Sequence, residues 1–428
     1  MSVKQIFNTS AELDFPNVLP TLDLDFANSK TLDPRITFTR ASGGSYVGDD
    51  ALIKYAGVNE PRFDHDPVTG ESLGLLIEES RQNLLLRSEE FDQSPWIRTG
   101  MFAFGSGSSV NAITAPDGTM TADRLTEDIS TGLHDIRQTS SYQSGVTYTW
   151  SVFFKAASGT RNFQMILSTF AFPDNPFVNV NPTTGEIINS SDINASVQPY
   201  QNGWYRASFS ATADASANGN IYLRLIDGTS INYTGDGTSG IYIWGAQLEQ
   251  GSFPTSYIPT QSATRTRNPD NAQITGKNFS DFYRQDEGSF FSSFKINALN
   301  LNGFPGVFYV DDGTISNSIG VYVNDAGDDK IGSEAYALGI GQYHLFSNSA
   351  VIPNMINKVC NSYKINNFYT SFSDRNSILS DNLGSIPTVN ILRIGSLRGN
   401  LTKLNGTISR LTYYPRALQP SQLQSLTS

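Results

Sequence analysis

From Thr147 to Phe154 the side chains alternate, with Tyr148, Trp150, Val152 and Phe154 on one face of an extended chain and Thr147, Thr149 and Ser151 on the other. A helix would scatter the four large apolar groups around its axis; only a strand gathers them. The same period of two returns in Phe163/Met165/Leu167, Tyr205/Ala207/Phe209 and Ile221/Leu223/Leu225, separated by turn-rich stretches such as 214–220 and 227–240. Strands at this spacing, each with one face to bury, predict a sandwich or jelly roll over about residues 88–260.

With 428 residues the chain is too long for one such sandwich. Residues 1–20 carry little periodicity and read as an arm. Residues 21–87 are short apolar runs broken by Asp33-Pro34, Gly43-Gly44, Glu60-Pro61 and Asp66-Pro67, a β-rich collar or docking segment. Residues 261–285 turn polar at Thr264-Arg265-Thr266-Arg267-Asn268-Pro269-Asp270 and read as a linker. A second sandwich is expected over 286–428, from Val307–Val310, Ile319/Val321/Val323, Val389–Ile394 and Thr407–Tyr414, with one short helix at Pro420–Leu426. The expected fold is all-β: two tandem antiparallel β-sandwich or jelly-roll domains after a short N-terminal β-rich collar. No fixed-period repeat or sustained heptad pattern points to a propeller or a coiled-coil shaft.

Composition removes several function classes. Twenty-nine Lys plus Arg against 40 Asp plus Glu leave a net charge of −11, which phosphate backbones repel, so no nucleic-acid partner is expected. The single cysteine, Cys360, rules out an intrachain disulfide and reads as a small buried hydrophobe. No run of about 18 apolar residues suggests a membrane helix. The first twenty residues lack the apolar core of a leader, so no export signal is expected.

No catalytic set is expected. The chain has three histidines, His65, His134 and His344. It has no Gly-x-Ser-x-Gly elbow and no Glu-x-Asp-x-Glu string, and the adjacent pairs Glu78-Glu79 and Glu89-Glu90 would point to opposite faces of a strand. Trp150, Trp204 and Trp244 lie in apolar alternation and read as core. The aromatic residues in turn-like contexts are Trp96, Tyr233 and Tyr336, the candidate ring faces for stacking against sugars. Calcium is the one cofactor the sequence admits: Asp311 and Asp312 before Gly313, and Asp325, Asp328 and Asp329 in the 324–329 loop, offer hard oxygen ligands, although neither stretch follows an EF-hand pattern.

Four stretches together resemble a module of bacteriophage and prophage structural proteins. They are Leu32-Asp33-Pro34-Arg35-Ile36-Thr37-Phe38-Thr39-Arg40-Ala41-Ser42; Pro61-Arg62-Phe63-Asp64-His65-Asp66-Pro67 running into Leu73–Glu78; Gly203-Trp204-Tyr205-Arg206; and Ile243–Glu249 with Thr255–Thr260. The resemblance implies a jelly roll like the carbohydrate-binding modules of phage tail fibres over about 20–260. Ser80 to Leu84 departs from the family, which has Thr before the Asn. The ending Gly406–Leu418 is similar to concanavalin-A-like, laminin-G-type sandwiches. On this resemblance the expected protein is a non-enzymatic virion adhesin, binding host surface polysaccharide and docked to other tail or baseplate proteins; the alternatives are a structural or decoration protein of the virion whose modules make protein–protein contacts and, third, a polysaccharide depolymerase. Its expected assembly is a homo-oligomer, a trimer by the usual symmetry of fibres.

Overall fold

The computed structural model describes residues 14–168, 170–191, 194–299, 303–324, 327–373 and 378–428. The chain is nearly all β, half of it strand and 6% helix, arranged in several antiparallel sheets. It divides into two compact units, residues 39–270 and, as a discontinuous second unit, residues 1–38 with 271–428.

In the 39–270 unit, two six-stranded sheets oppose each other. The first runs, in hydrogen-bonded order, Asn194–Pro199, Tyr205–Thr212, Thr147–Ala156, Gly240–Gln250, Ala122–Thr126 and Ser109–Ile113. The second runs Ile187–Ser190, Phe177–Val180, Asn162–Ser168, Ala217–Ile226, His134–Tyr142 and Ile97–Thr99. The alternation seen in the sequence fills the space between them: Trp150, Val152, Phe154, Phe209, Ile243 and Leu248 meet Ile136, Phe163, Met165, Leu167 and Leu223 in one core. Phe153, on the opposite face to Val152 and Phe154 by alternation, packs with Trp204, Trp244, Tyr257 and Ile53 in a second, smaller core; the register shift between Gln247 and Trp244 on the neighbouring strand places Trp244 opposite Phe153. Ile53 comes from the hairpin of Gly44–Val47 and Ile53–Ala56, so the segment after residue 39 is a layer of this unit.

The expected collar and linker are therefore drawn differently in the structure. Residues 39–87 belong with the jelly roll, whereas 21–38 belong with the C-terminal sandwich. Within 261–285, the strand Arg265–Arg267 pairs with Arg81–Asn83 in one unit, while the strand Asn271–Thr275 and the helix Gly276–Ser280 belong to the other. The stretch looks like a linker because it is charged, yet Arg267 and Asp270 are 1% and 0% exposed, their charges met by distant partners. Arg40 donates to Asp270 Oδ1 at 3.0 Å, and Arg62 donates to Asp270 Oδ2 at 2.5 Å and to Glu78 Oε2 at 2.7 Å. All five side chains are buried.

In the second unit one sheet carries Asn271–Thr275, Ile391–Ile394, Gly306–Asp311, Ser318–Asn324, Lys330–Ala337 and Ile340–Ala350 in pairing order. The facing sheet carries Leu379–Asp381, Asn367–Phe372, Asn357–Lys364, Glu287–Ile296 and Gly406–Tyr414. Phe290 and Phe308 meet across the interior with ring centroids 4.8 Å apart. The terminal helix Pro420–Thr427 starts from a Gln419/Gln422 capping box and buries Leu423 against Phe291 and Cys360. The N-terminal strand Leu22–Asp25 pairs with Gly406–Tyr414, and Asp23 accepts two hydrogen bonds from Arg410, at 2.9 and 2.7 Å. The first 13 residues of the expected arm lie outside the described residues.

A fragment of 286–428 lacks both Leu22–Asp25 and Asn271–Thr275 and so exposes two strand edges. It is expected to be insoluble when expressed alone, whereas 14–38 joined by a Gly/Ser linker to 271–428 is expected to fold. A soluble, cooperatively melting 286–428 fragment would show that these strands are dispensable.

Candidate functional site

A groove of about 680 Å³ opens on the 39–270 unit. Its lining comes from the hairpin (Gly43 to Ser45, Tyr55, Ala56), from Glu89 and Glu90, from the turn holding Asp117, Thr119 and Thr121, and from Tyr257 through Arg267.

The hairpin register sets Ser45 opposite Tyr55. Ser45 Oγ donates to the Tyr257 carbonyl at 2.6 Å and so fixes one wall to the other. Tyr55, two residues beyond the core-facing Ile53, is 47% exposed, which makes its ring available at the groove. Tyr257 is the buried counterpart; its hydroxyl donates to Glu89 Oε1 at 2.8 Å and its ring packs on Trp244 with centroids 4.6 Å apart. Asp117 Oδ1 accepts from the Thr119 amide and hydroxyl at 3.0 and 2.6 Å, and the hydroxyls of Thr119 and Thr121 stand 2.7 Å apart.

Burial, with added repulsion from Asp117 and Glu90, pushes the Glu89 carboxyl up to about 7 despite the hydrogen bond from Tyr257. Near neutral pH it is therefore both donor and acceptor. Glu90 is held by Arg87 at 2.6 Å. The groove thus offers an aromatic face, two hydroxyls and carboxyl groups of differing protonation.

None of the expected ring faces lies here. Trp96 is 7% exposed: its turn folds inward, the ring packs on Phe91 and the indole N–H donates to the Arg87 carbonyl at 2.9 Å. Tyr233 is 9% exposed, its hydroxyl donating to Glu127 at 2.6 Å and its ring held by Arg161 and His134. Tyr336, in the other unit, is half-buried, with the Arg398 guanidinium 4.0 Å from its ring centroid. A Gly-rich or turn-like context marked these as exposed, but Tyr233 and Tyr336 are covered by polar neighbours distant in sequence and Trp96 by its own turn. Trp150, Trp204 and Trp244 are buried, as their alternation predicts. Tyr55, Glu89, Asp117 and Tyr257 had no local signal, since what joins them is the folding of four separate segments.

The expected calcium ligands do not converge. Asp311 is buried against Arg393 at 2.6 Å and also accepts the Gly313 and Gly399 amides. Asp312 accepts from Thr314 and Asn317. Asp328 pairs with Lys330 at 2.8 Å, and Asp329 sits in a left-handed turn at φ 56°. Asp325 lies outside the described residues. No group of three or more His, Cys, Asp or Glu suited to a metal occurs among the described residues.

No protein-family model matches the chain, and no curated protein does. Solved structures resemble parts of it. The CBM40 module of a Ruminococcus gnavus IT-sialidase bound to α2,3 sialyllactose is 19% identical, over 34% of this chain and 83% of its own, with a TM-score of 0.29. Domains LG4-5 of the mouse laminin α1 chain are 8% identical over 70% and 92%, with a TM-score of 0.25. A Trypanosoma rangeli sialidase in complex with sialic acid is 12% identical over 73% and 57%, with a TM-score of 0.29.

Proposed function

We propose that the chain is a glycan-binding surface protein, a virion adhesin of the tail-fibre kind, and that the groove on residues 39–270 is its saccharide site. The observation that supports this most is the exposed Tyr55 ring beside Glu89, Asp117, Thr119 and Thr121 in one groove. A sugar presents an apolar C–H face and a rim of hydroxyls, which need a ring to stack on and mixed donors and acceptors around it. The phage context rests on the resemblance around Arg40, Arg62 and Glu78. Other virion proteins and a homotrimeric state belong to the same reading.

Tyr55→Ala is expected to weaken binding of surface polysaccharide about fivefold, the loss of a stacking contact worth about 1 kcal/mol. The unfolding temperature should hold, because the side chain is half exposed. Isothermal titration and calorimetry on the same samples check both, and unchanged affinity would remove the groove from the reading.

A second reading, polysaccharide cleavage, is favoured by one observation: a carboxyl with a pKa of about 7, Glu89, in one groove with Asp117. We expect incubation with polysaccharide to leave chain length unchanged by size-exclusion chromatography. Shortening that Glu89→Gln abolishes would make the protein a depolymerase.

A further inference from the structure

We infer that the groove takes an acidic sugar, a uronic or nonulosonic acid unit whose carboxylate is held by Arg267 with Arg265 beside it. This rests on the reading of the groove as a saccharide site and adds the class of saccharide. Arg267 carries the argument. It lines the groove, its side chain is 1% exposed, and its Nε, Nη1 and Nη2 have no hydrogen-bond partner among the described residues. Glu78 Oε2 faces Nε at 3.4 Å, an ion pair without a hydrogen bond.

The neighbouring buried arginines differ. Arg40 donates to the carbonyls of Ser42, Gly57 and Glu60 and to Asp270. Arg62 donates to the Ser45 carbonyl, Glu78, Ser256 and Asp270. A guanidinium is a rigid fork of five donors, costly to bury unfilled and matched by the two oxygens of a carboxylate.

Gly44 lines the groove and has no left-handed φ that would demand glycine; a Cβ there would stand 3.3 Å from Arg267 Cδ, Arg40 Nε and Arg62 Cδ alike, so the groove wall packs directly on the buried arginines. Arg265 lies two residues away on the strand Arg265–Arg267, hence on the same face, and is exposed. Of the acidic groups in the lining, Glu90 is paired with Arg87, and burial keeps Glu89 neutral up to about pH 7. Arg267 shares Glu78 with Arg62, and the buried set of Arg40, Arg62 and Arg267 against Glu78 and Asp270 keeps one positive charge; with Arg265 this outweighs Asp117, a balance that admits an anion and improves as Glu89 gains its proton. The sugar carboxylate, with an ordinary acid pKa near 3.5, stays ionised throughout.

The test titrates the full chain with galacturonate, glucuronate and sialic-acid oligosaccharides and with the carboxyl-reduced form of each. Acidic forms are expected to bind at least tenfold more tightly than their reduced counterparts, and more tightly at pH 6 than at pH 8. Arg265→Ala should lower acidic binding about tenfold and narrow the ratio of acidic to reduced-form affinity; Glu89→Gln should remove the pH dependence. Arg267→Lys, which keeps the charge and loses the fork, should also weaken acidic binding, and if it unfolds the exposed Arg265 variant decides. Equal affinity for acidic and reduced forms would overturn the inference and leave the saccharide site standing. Binding of neither form would overturn both.

Discussion

Arg62→Met is expected to lower the unfolding temperature of the 39–270 unit by roughly 10 °C. Arg62 is fully buried and donates four hydrogen bonds, two of them to Glu78 and Asp270. Without it Glu78 keeps Arg267, 3.4 Å away, and Asp270 keeps Arg40, but both lose their closest arginine and the Ser45 carbonyl loses its donor; breaking a buried pair in this way costs about 3–5 kcal/mol, and a unit of this size shifts by about 2–4 °C per kcal/mol.

The pH dependence gives a second signature. Burial alone would raise the Glu78 carboxyl, but Arg267, Arg62 and the hydrogen bonds from Ser256 outweigh it and hold the group at about 2. A depressed carboxyl stabilises the fold above its unfolded value near 4.5, and that contribution is lost as pH falls through 2. In the variant Glu78 takes up its proton at a higher pH, so the gap between the two proteins should be widest near pH 7 and narrow below pH 4. A gap that stays constant with pH would mean that Arg62 acts through packing alone. Differential scanning calorimetry across pH 3–8 measures it.

Trp204→Ala should cost the same unit about 3–5 kcal/mol, the range for truncating a large buried aromatic side chain. The indole is 2% exposed, shares its cluster with Phe153, Trp244 and Tyr257, and donates to the Thr114 carbonyl at 3.1 Å. Truncation therefore opens a cavity and orphans an acceptor together. Saccharide affinity, measured below the lowered transition, should stay within about twofold, because Trp204 does not line the groove. A variant that keeps its transition temperature but loses affinity would move the saccharide site to this ring.

The strands of both units and the burial of Trp150, Trp204 and Trp244 were legible in the sequence because strand alternation is local: each face is written within ten residues. What joins distant segments was not. Arg40, Arg62 and Glu78 stood out only as parts of a resemblance, without a role. Their role is to meet Asp270, and Arg40 and Arg62 reach it across 230 and 208 positions of sequence. The same blindness made the charged stretch 264–270 look solvated. Trp96 and Tyr233 failed in the opposite sense, since a turn says nothing about what folds over it. In the sequence Glu89 stands only beside Glu90; its partners Asp117 and Tyr257 come from other segments.

The 39–270 unit is inserted between the two pieces of its neighbour, so the chain must wait to finish what it starts. Asp23 meets Arg410 387 residues later, an interval of about 20–80 s at ordinary translation speed. During that interval the strand Leu22–Asp25 has been made but the edge it pairs with has not. The inserted unit is complete long before, and its Arg40–Asp270 pair then holds together the two points where the chain enters and leaves it. A closure that would otherwise span some 230 residues of loose chain becomes a short one. On the ribosome, the buried ion pairs would set the order of events: unless the inserted unit folds first, the N-terminal strand remains an unpaired edge, open to strands of neighbouring nascent chains.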